Sequence, residues 1–318
     1  MSHSITRREM LAATAAAGVG LWTAGHVQAA EFKTTIHKAM IDNPTEPALK
    51  RLKEAGFDGI ETSQWNVTPE QAAKGREIAE KLGMKIHSVL FGWANFNRKD
   101  KVEQDLANVQ KALHAAKGYG ASALLLVPCL IGGMPMPEAW EFELEFDRKT
   151  RELKRVVAGD NSKYQAYIEA QNQATAASRK AVQKLIPTAE KTGVIIALEN
   201  VWNNLWVKPA FFASFIRSFR NPRVQCYFDI GNHVKYAPAE EWIRALGKTI
   251  VKLHVKDFKL NADGHGGNFV HPRDGSVDWP LVRQELEKIG YNDWMTIEDG
   301  GLALEEFSRR LDLIVAGK

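Results

Sequence analysis

Short apolar, β-rich runs alternate with longer amphipathic segments along almost the whole chain, and this alternation leaves few folds open. Strands are predicted near 33–39, 57–62, 84–90, 121–127, 194–199, 223–229, 250–255 and 293–298. The intervening segments carry helix punctuation. Pro44-Thr45-Glu46 opens the first and Gly56 closes it; Thr68-Pro69-Glu70 opens the second and Gly83 closes it. Eight strands separated by helices is the count of an α/β protein closed as a single (β/α)8 TIM barrel. A doubly wound open sheet fits less well, because no glycine-rich phosphate turn follows the first strand. No linker rich in Gly, Ser or Pro divides the pattern, so residues 30–318 are expected to form one domain.

The first 29 residues stand outside that pattern. Thr6-Arg7-Arg8-Glu9-Met10-Leu11 reads as a twin-arginine leader, followed by an uncharged run from Leu11 to Gly25 and a small-residue cleavage site around Val27-Gln28-Ala29. The apolar run is shorter than the roughly 20 residues that span a bilayer. A cleaved export signal is therefore expected over 1–29, with no stable membrane anchor and a periplasmic mature protein starting near Ala30.

The formal charge of +4 falls to +3 when Arg7, Arg8 and Glu9 leave with the leader. So mild a balance, with no basic stripe interleaved with aromatics, argues against a nucleic-acid partner and for a small molecule; a homo-oligomer stays open. Cys129 and Cys226 are the two cysteines, and both are expected to be buried free thiols. One connection is unusually long. From Pro128 to about Lys163 it reads either as a lid or substrate wall over the strand ends, or as a solvated excursion carrying Glu141, Glu143, Glu145, Asp147 and Arg148.

Four successive late strands end in a metal-ligand residue: Glu199 in VIIALEN, Asp229 in VQCYFDIGN, His254 in IVKLHVKD and Glu298 in WMTIED. In a barrel these fall at one mouth, where active sites are built. Converging inward charges without a partner would cost several kcal/mol, so four of them call for a cation. An oxygen-rich set with one imidazole suits Mn²⁺, Mg²⁺ or Co²⁺, and Zn²⁺ remains open.

Leu198 to Asn203 (LENVWN), Tyr227 to Asn232 (YFDIGN), Leu253 to Asp257 (LHVKD) and Thr296 to Glu298 (TIE) resemble the sugar phosphate isomerase/epimerase family of xylose-isomerase-like TIM barrels. Within it the pieces are most similar to L-ribulose and L-xylulose 5-phosphate 3-epimerases. The resemblance implies one divalent metal ion, Mn²⁺ before the others, held by Glu199, Asp229, His254 and Glu298, with Glu199 and Glu298 doubling as an acid/base pair. The activity it implies is epimerisation or isomerisation of a keto sugar through an enediolate. Where many relatives carry His three residues after the strand-six Asp, this chain has Asn232, with His233 next. Glu61, Trp65, His87, Asn232, His233 and Asp257 are candidate substrate contacts, and Arg273 is a candidate anchor for an anionic group. His37 in the first strand reads as a wall residue or, equally, as a satisfied interior imidazole.

Two other functions fit the same residues. One is a lyase or hydratase acting on an oxidised sugar or 3-keto-glycoside, since an enediolate can expel a β-leaving group; the other is a non-catalytic sugar-binding barrel. The export leader favours a free keto sugar or keto-glycoside over a pentulose phosphate. Abasic-site nuclease activity is disfavoured by the mild charge and by the lack of extra histidine ligands.

Overall fold

The computed structural model describes residues 32–318. In its first half β1 (His37–Ile41), α1 (Glu46–Glu54), β2 (Gly59–Thr62), α2 (Pro69–Lys81), β3 (Lys85–Trp93), α3 (Val102–Tyr119) and β4 (Ala123–Val127) follow one another. A small hairpin of β5 (Glu145–Phe146) and β6 (Leu153–Arg155) lies in the long connection before α4 (Gln165–Thr192). Then come β7 (Ile195–Glu199), α5 (Pro209–Arg217), β8 (Val224–Asp229), α6 (Ala239–Leu246) and β9 (Ile250–Val255). A second hairpin, β10 (Asp257–Leu260) with β11 (Gly267–Val270), precedes α7 (Trp279–Ile289), β12 (Trp294–Ile297) and α8 (Leu304–Val315). Eight strands close a parallel barrel in the order β1-β12-β9-β8-β7-β4-β3-β2. The predicted (β/α)8 fold is therefore the observed one.

The local chemistry explains the elements. β4 reads Ala-Leu-Leu-Leu-Val and is buried at every position, as expected of a parallel strand covered on both faces. α2 starts on a reciprocal capping box in which Thr68 and Gln71 satisfy each other's backbone amides. Parallel pairing sets Asp229 level with His254, and Glu199 level with Tyr227 one strand over.

Two strand boundaries depart from expectation. The segment expected as the first strand begins pairing only at His37, because Lys33 and Thr34 give their amides to the Glu287 carboxylate and Thr35 gives its own to Asn292. β3 continues to Trp93, its register against β4 shifting between Leu90 and Gly92.

The long connection is in part the solvated excursion expected of it. Glu141, Glu143, Glu145 and Arg148 are exposed, while Phe142 is buried between Tyr167 and Tyr236. Trp140 stacks on His265, in the turn between β10 and β11, at 4.3 Å. Both cysteines are buried and free; burial pushes the Cys129 thiol up to about 11. Among the described residues no helix is long and apolar enough to cross a membrane. The leader expected at 1–29 lies outside them.

Candidate metal centre

Glu199 and Asp229 are the last residues of β7 and β8, His254 is one from the end of β9, and Glu298 directly follows β12. These four strands are neighbours in the barrel, so their ends deliver the side chains to one place. One ligand atom from each lies within 4.8 Å of all the others. His254 Nδ1 is 2.8 Å from Glu298 Oε2 and 3.2 Å from Glu199 Oε1.

The sequence after each strand aims its ligand. Asp229 Oδ1 accepts the amides of Gly231 at 2.9 Å and Asn232 at 2.6 Å, which leaves Oδ2 turned to the cluster. Only glycine fits at 231, where a Cβ would lie 2.7 Å from Lys256 Cγ. Asn200, following the Glu199 ligand, clamps the Asp229 backbone from both sides: its Nδ2 donates to the carbonyl at 2.8 Å and its Oδ1 accepts the amide at 2.7 Å.

Glu61 on β2 stands behind the imidazole. His254 Nε2 donates to Glu61 Oε2 at 2.5 Å, and the Tyr227 hydroxyl donates to the same oxygen at 3.0 Å. With its far nitrogen committed, His254 turns Nδ1 toward the carboxylates, the usual way a partner fixes a ligating histidine. Glu61, expected as a substrate wall, is thus fully buried beneath the site and orients a ligand.

Lys256 belongs to the cluster and was not anticipated. Its ammonium lies 2.8 Å from Glu298 Oε2 and 3.3 Å from Asp229 Oδ2. Burial pushes the Asp229 carboxyl up to about 7 against the pull of Lys256, and burial also raises Glu199. At Glu298 burial is outweighed by His254 and Lys256, which hold the carboxyl well below the usual range. Burial opposes a charged His254, yet Tyr227, Glu298, Glu61 and Glu199 together push it well above the ordinary histidine value.

The donor set fits a divalent cation. Asp229 Oδ2 and Glu298 Oε2 are buried without an aligned hydrogen-bond donor from the protein, both aimed into the same cluster. Three carboxylates and one imidazole form a hard-to-borderline ligand set, and Glu199, Asp229, His254 and Glu298 are the residues that would hold the ion.

Several expected substrate contacts have other work. His87 lies inside the barrel, stacked on Trp294 at 4.6 Å with Nε2 at 2.9 Å from Thr296 Oγ1; it is held neutral by burial. His233 is packed against Trp242 and Tyr236, its Nε2 donates to the Val201 carbonyl, and burial lowers its titration to about 3. Asp257 is a loop anchor, accepting the amides of Phe258, Arg273, Gly275 and Val277 and the Trp279 indole N–H. Arg273 contributes its backbone amide there while its side chain is exposed. Asn232 bonds the Asn200 carbonyl through Nδ2 and keeps Oδ1 3.4 Å from Lys256. Trp65 follows β2 on the mouth side, against Phe91. His37 is half-exposed at the opposite end of β1, 3.9 Å from Asp58, and is not interior.

Beside Glu298 and Lys256 the mouth opens into a cavity of about 520 Å³. A closed parallel (β/α)8 barrel carries, on four adjacent strand ends, an acidic and imidazole cluster that could hold a metal ion. The chain belongs to the xylose isomerase-like TIM barrel family, whose model matches residues 49–309. The rhizopine catabolism protein MocC of Rhizobium meliloti is 23% identical over 277 residues, covering 81% of this chain and 75% of that protein. A D-tagatose 3-epimerase-like protein shares the fold with a TM-score of 0.65 at 16% identity, over 88% of this chain and 98% of its own. The IOLI protein, solved with a bound zinc atom, does so with a TM-score of 0.63 at 15% identity over the same shares.

Proposed function

We propose that this protein is a divalent-metal-dependent epimerase or isomerase of a keto sugar, acting by proton transfer at the carbon beside the carbonyl. The observation that carries this reading is the placement of Glu199 and Glu298. They stand on β7 and β12, the outer two of the four ligand strands, with Asp229 and His254 between them. A substrate held over the centre then meets one carboxylate from each flank, one to remove the proton and the other to return it on the opposite face. Their surroundings push the two carboxyls apart, Glu199 up and Glu298 down, as suits a pair with different tasks. When bound, a cation supplies electrostatic stabilisation of the negative charge that develops on the substrate's oxygens. Lys256 adds a positive charge beside Glu298 at the same mouth, and Glu61 keeps His254 oriented.

Mn²⁺ is the proposed ion, with Mg²⁺, Co²⁺ and Zn²⁺ as competitors on the same ligands. The names of the relatives, a sugar epimerase-like protein among them, agree with a sugar substrate. The twin-arginine leader supports a periplasmic enzyme and therefore a free keto sugar over a phosphorylated one. A fusion of residues 1–30 to a reporter should need Arg7 and Arg8; unchanged export with both replaced by Lys removes that argument. The activity itself is tested by assaying free and phosphorylated ketoses before and after stripping divalent ions. Turnover should vanish on stripping and return with Mn²⁺, and full activity in verified metal-free protein would refute the proposal.

A further inference from the structure

We infer that the flank of the barrel carries a second ligand site, an anion-binding cavity for a phosphate or sulfate group, formed where the turn between β5 and β6 meets α4 and the end of α5. It is independent of the function proposed above, since no residue lining it belongs to the ligand cluster or to the mouth cavity.

The cavity measures about 250 Å³ and is lined by Arg151 from the turn, by Arg179 and Lys180 of α4, and by Ser218 just after α5. Glu152 is the one acidic residue in its wall. Burial and the charges of Arg179 and Arg220 bring Arg151 below the usual guanidinium value, against the pull of Asp147. Three guanidiniums therefore share this corner. Among the described residues the polar partners of Arg151 and Arg179 are main-chain carbonyls, not carboxylates. Arg151 reaches that of Lys149, and that of Ser214 at 3.5 Å; Arg179 reaches that of Ser218 at 3.4 Å.

The Ser214 and Ser218 carbonyls close the last turn of α5, whose dipole supplies roughly half a negative charge. That does not balance three guanidiniums, and each guanidinium has five N–H groups to give. A second observation points to a ligand. Ser218 lines the cavity and is 6% exposed, yet its hydroxyl is buried with no hydrogen-bond partner. A buried hydroxyl left unpaired is destabilising. An oxyanion in the cavity would accept from that hydroxyl and from the two arginine forks together.

The backbone agrees. Arg151 stands at φ 66° and Arg220 at φ 50°, in the left-handed region that favours glycine or asparagine, so an arginine at each brings its charge at a conformational cost. The ligand class follows from the donors. Planar forks match a tetrahedral oxyanion two oxygens at a time, and Lys180 adds a point charge. A neutral sugar needs acceptors as well, and the wall has a single carboxylate. Because Arg151 belongs to the long connection and Arg179 and Ser218 to the helical layer, the bound anion pins that connection to the barrel.

The test titrates sulfate into the metal-loaded protein by calorimetry, with ionic strength held constant by chloride. Direct binding is the readout because sulfate raises Tm generally, by exclusion from protein surfaces. One saturable site is expected. Arg179→Gln should weaken it by about tenfold or more, and Arg151→Gln, which relieves its own backbone, gives a second reading should the first variant fail to fold. Amide hydrogen exchange across 147–153 should slow with sulfate in wild type and not in Arg179→Gln. Inorganic phosphate and glucose 6-phosphate, titrated into metal-stripped protein, separate the two sources: tighter binding of the ester assigns the site to a phosphoryl head group, and equal or weaker binding to the free ion. No saturable binding beyond chloride, equal affinity in both variants, or sulfate affinity that disappears when the metal is stripped, overturns the site.

Discussion

Glu61 reaches from β2 to the far nitrogen of His254 on β9, with 2.5 Å between Oε2 and Nε2 and the Tyr227 hydroxyl donating to the same oxygen. The orientation of a metal ligand is thereby set from a strand outside the four that supply the ligands. Replacing Glu61 with Ala should weaken metal binding about 10–100-fold, read by competition with a chelator. Glu61→Gln keeps an acceptor oxygen and should recover part of the loss. Unchanged affinity in Glu61→Ala would mean that the packing of Tyr227 alone orients the ring.

Lys256 contributes a positive charge where a cation would also sit. Lys256→Met removes that repulsion, and divalent affinity near pH 8 should rise by roughly tenfold. The same chelator competition reads it, and equal or weaker affinity would contradict this assignment.

Burial holds the Asp229 carboxyl at about 7, against 3.8 for an exposed aspartate. The folded, metal-free protein keeps this proton where the unfolded chain has lost it. The group's contribution to stability is therefore complete below about pH 4 and is lost as pH rises to about 7. A cation takes the ionised form. Apparent metal affinity should climb with pH through pH 7 and continue to rise above it, because His254, held protonated by its carboxylate neighbours, must also lose a proton to bind, and the rise in Tm on adding metal should grow over the same window. Calorimetry at several pH values checks this; a flat profile from pH 5.5 to 8 would count against it.

Asp257 organises the loop that carries His271, and Gly275 must be glycine there because a Cβ would lie 2.1 Å from Asp257 Oδ1. Asp257→Ala leaves several buried donors unpaired and should cost about 3 kcal/mol or more. Denaturant unfolding measures the cost. Amide hydrogen exchange across 273–277 should accelerate; retained protection there would show that the loop is held by something else.

The barrel and its ligands were legible because both depend on short-range pattern. Each ligand lies at or within one residue of the end of a largely apolar strand, and the parallel barrel order then brings the four ends together. Depth within the barrel was not legible. His87 points inward, but its Nε2 meets Thr296 and its ring stacks on Trp294, and nothing local marks it as packed within the barrel. Lys256 was within reach of the alternation rule, since residues two apart on a strand share a face and His254 lies two before it. The same rule turns Asp257 away from the site, where its neighbours are the amides of its own loop. His233 depended on the turn after Asp229, where the Asn232 amide caps the carboxylate and the next side chain swings into the packing around Trp242.

Solvent-deuterium incorporation at the carbon beside the carbonyl tests the central claim most directly, because it reports proton transfer even where equilibrium product is scarce. Metal-loaded wild type should exchange that hydrogen in at least one free ketose and invert the centre. In Glu298→Gln, exchange on the face served by Glu199 should persist while net epimerisation falls by about 10²-fold or more. No exchange with any keto sugar at saturating metal, or full epimerisation by Glu298→Gln, would contradict the account.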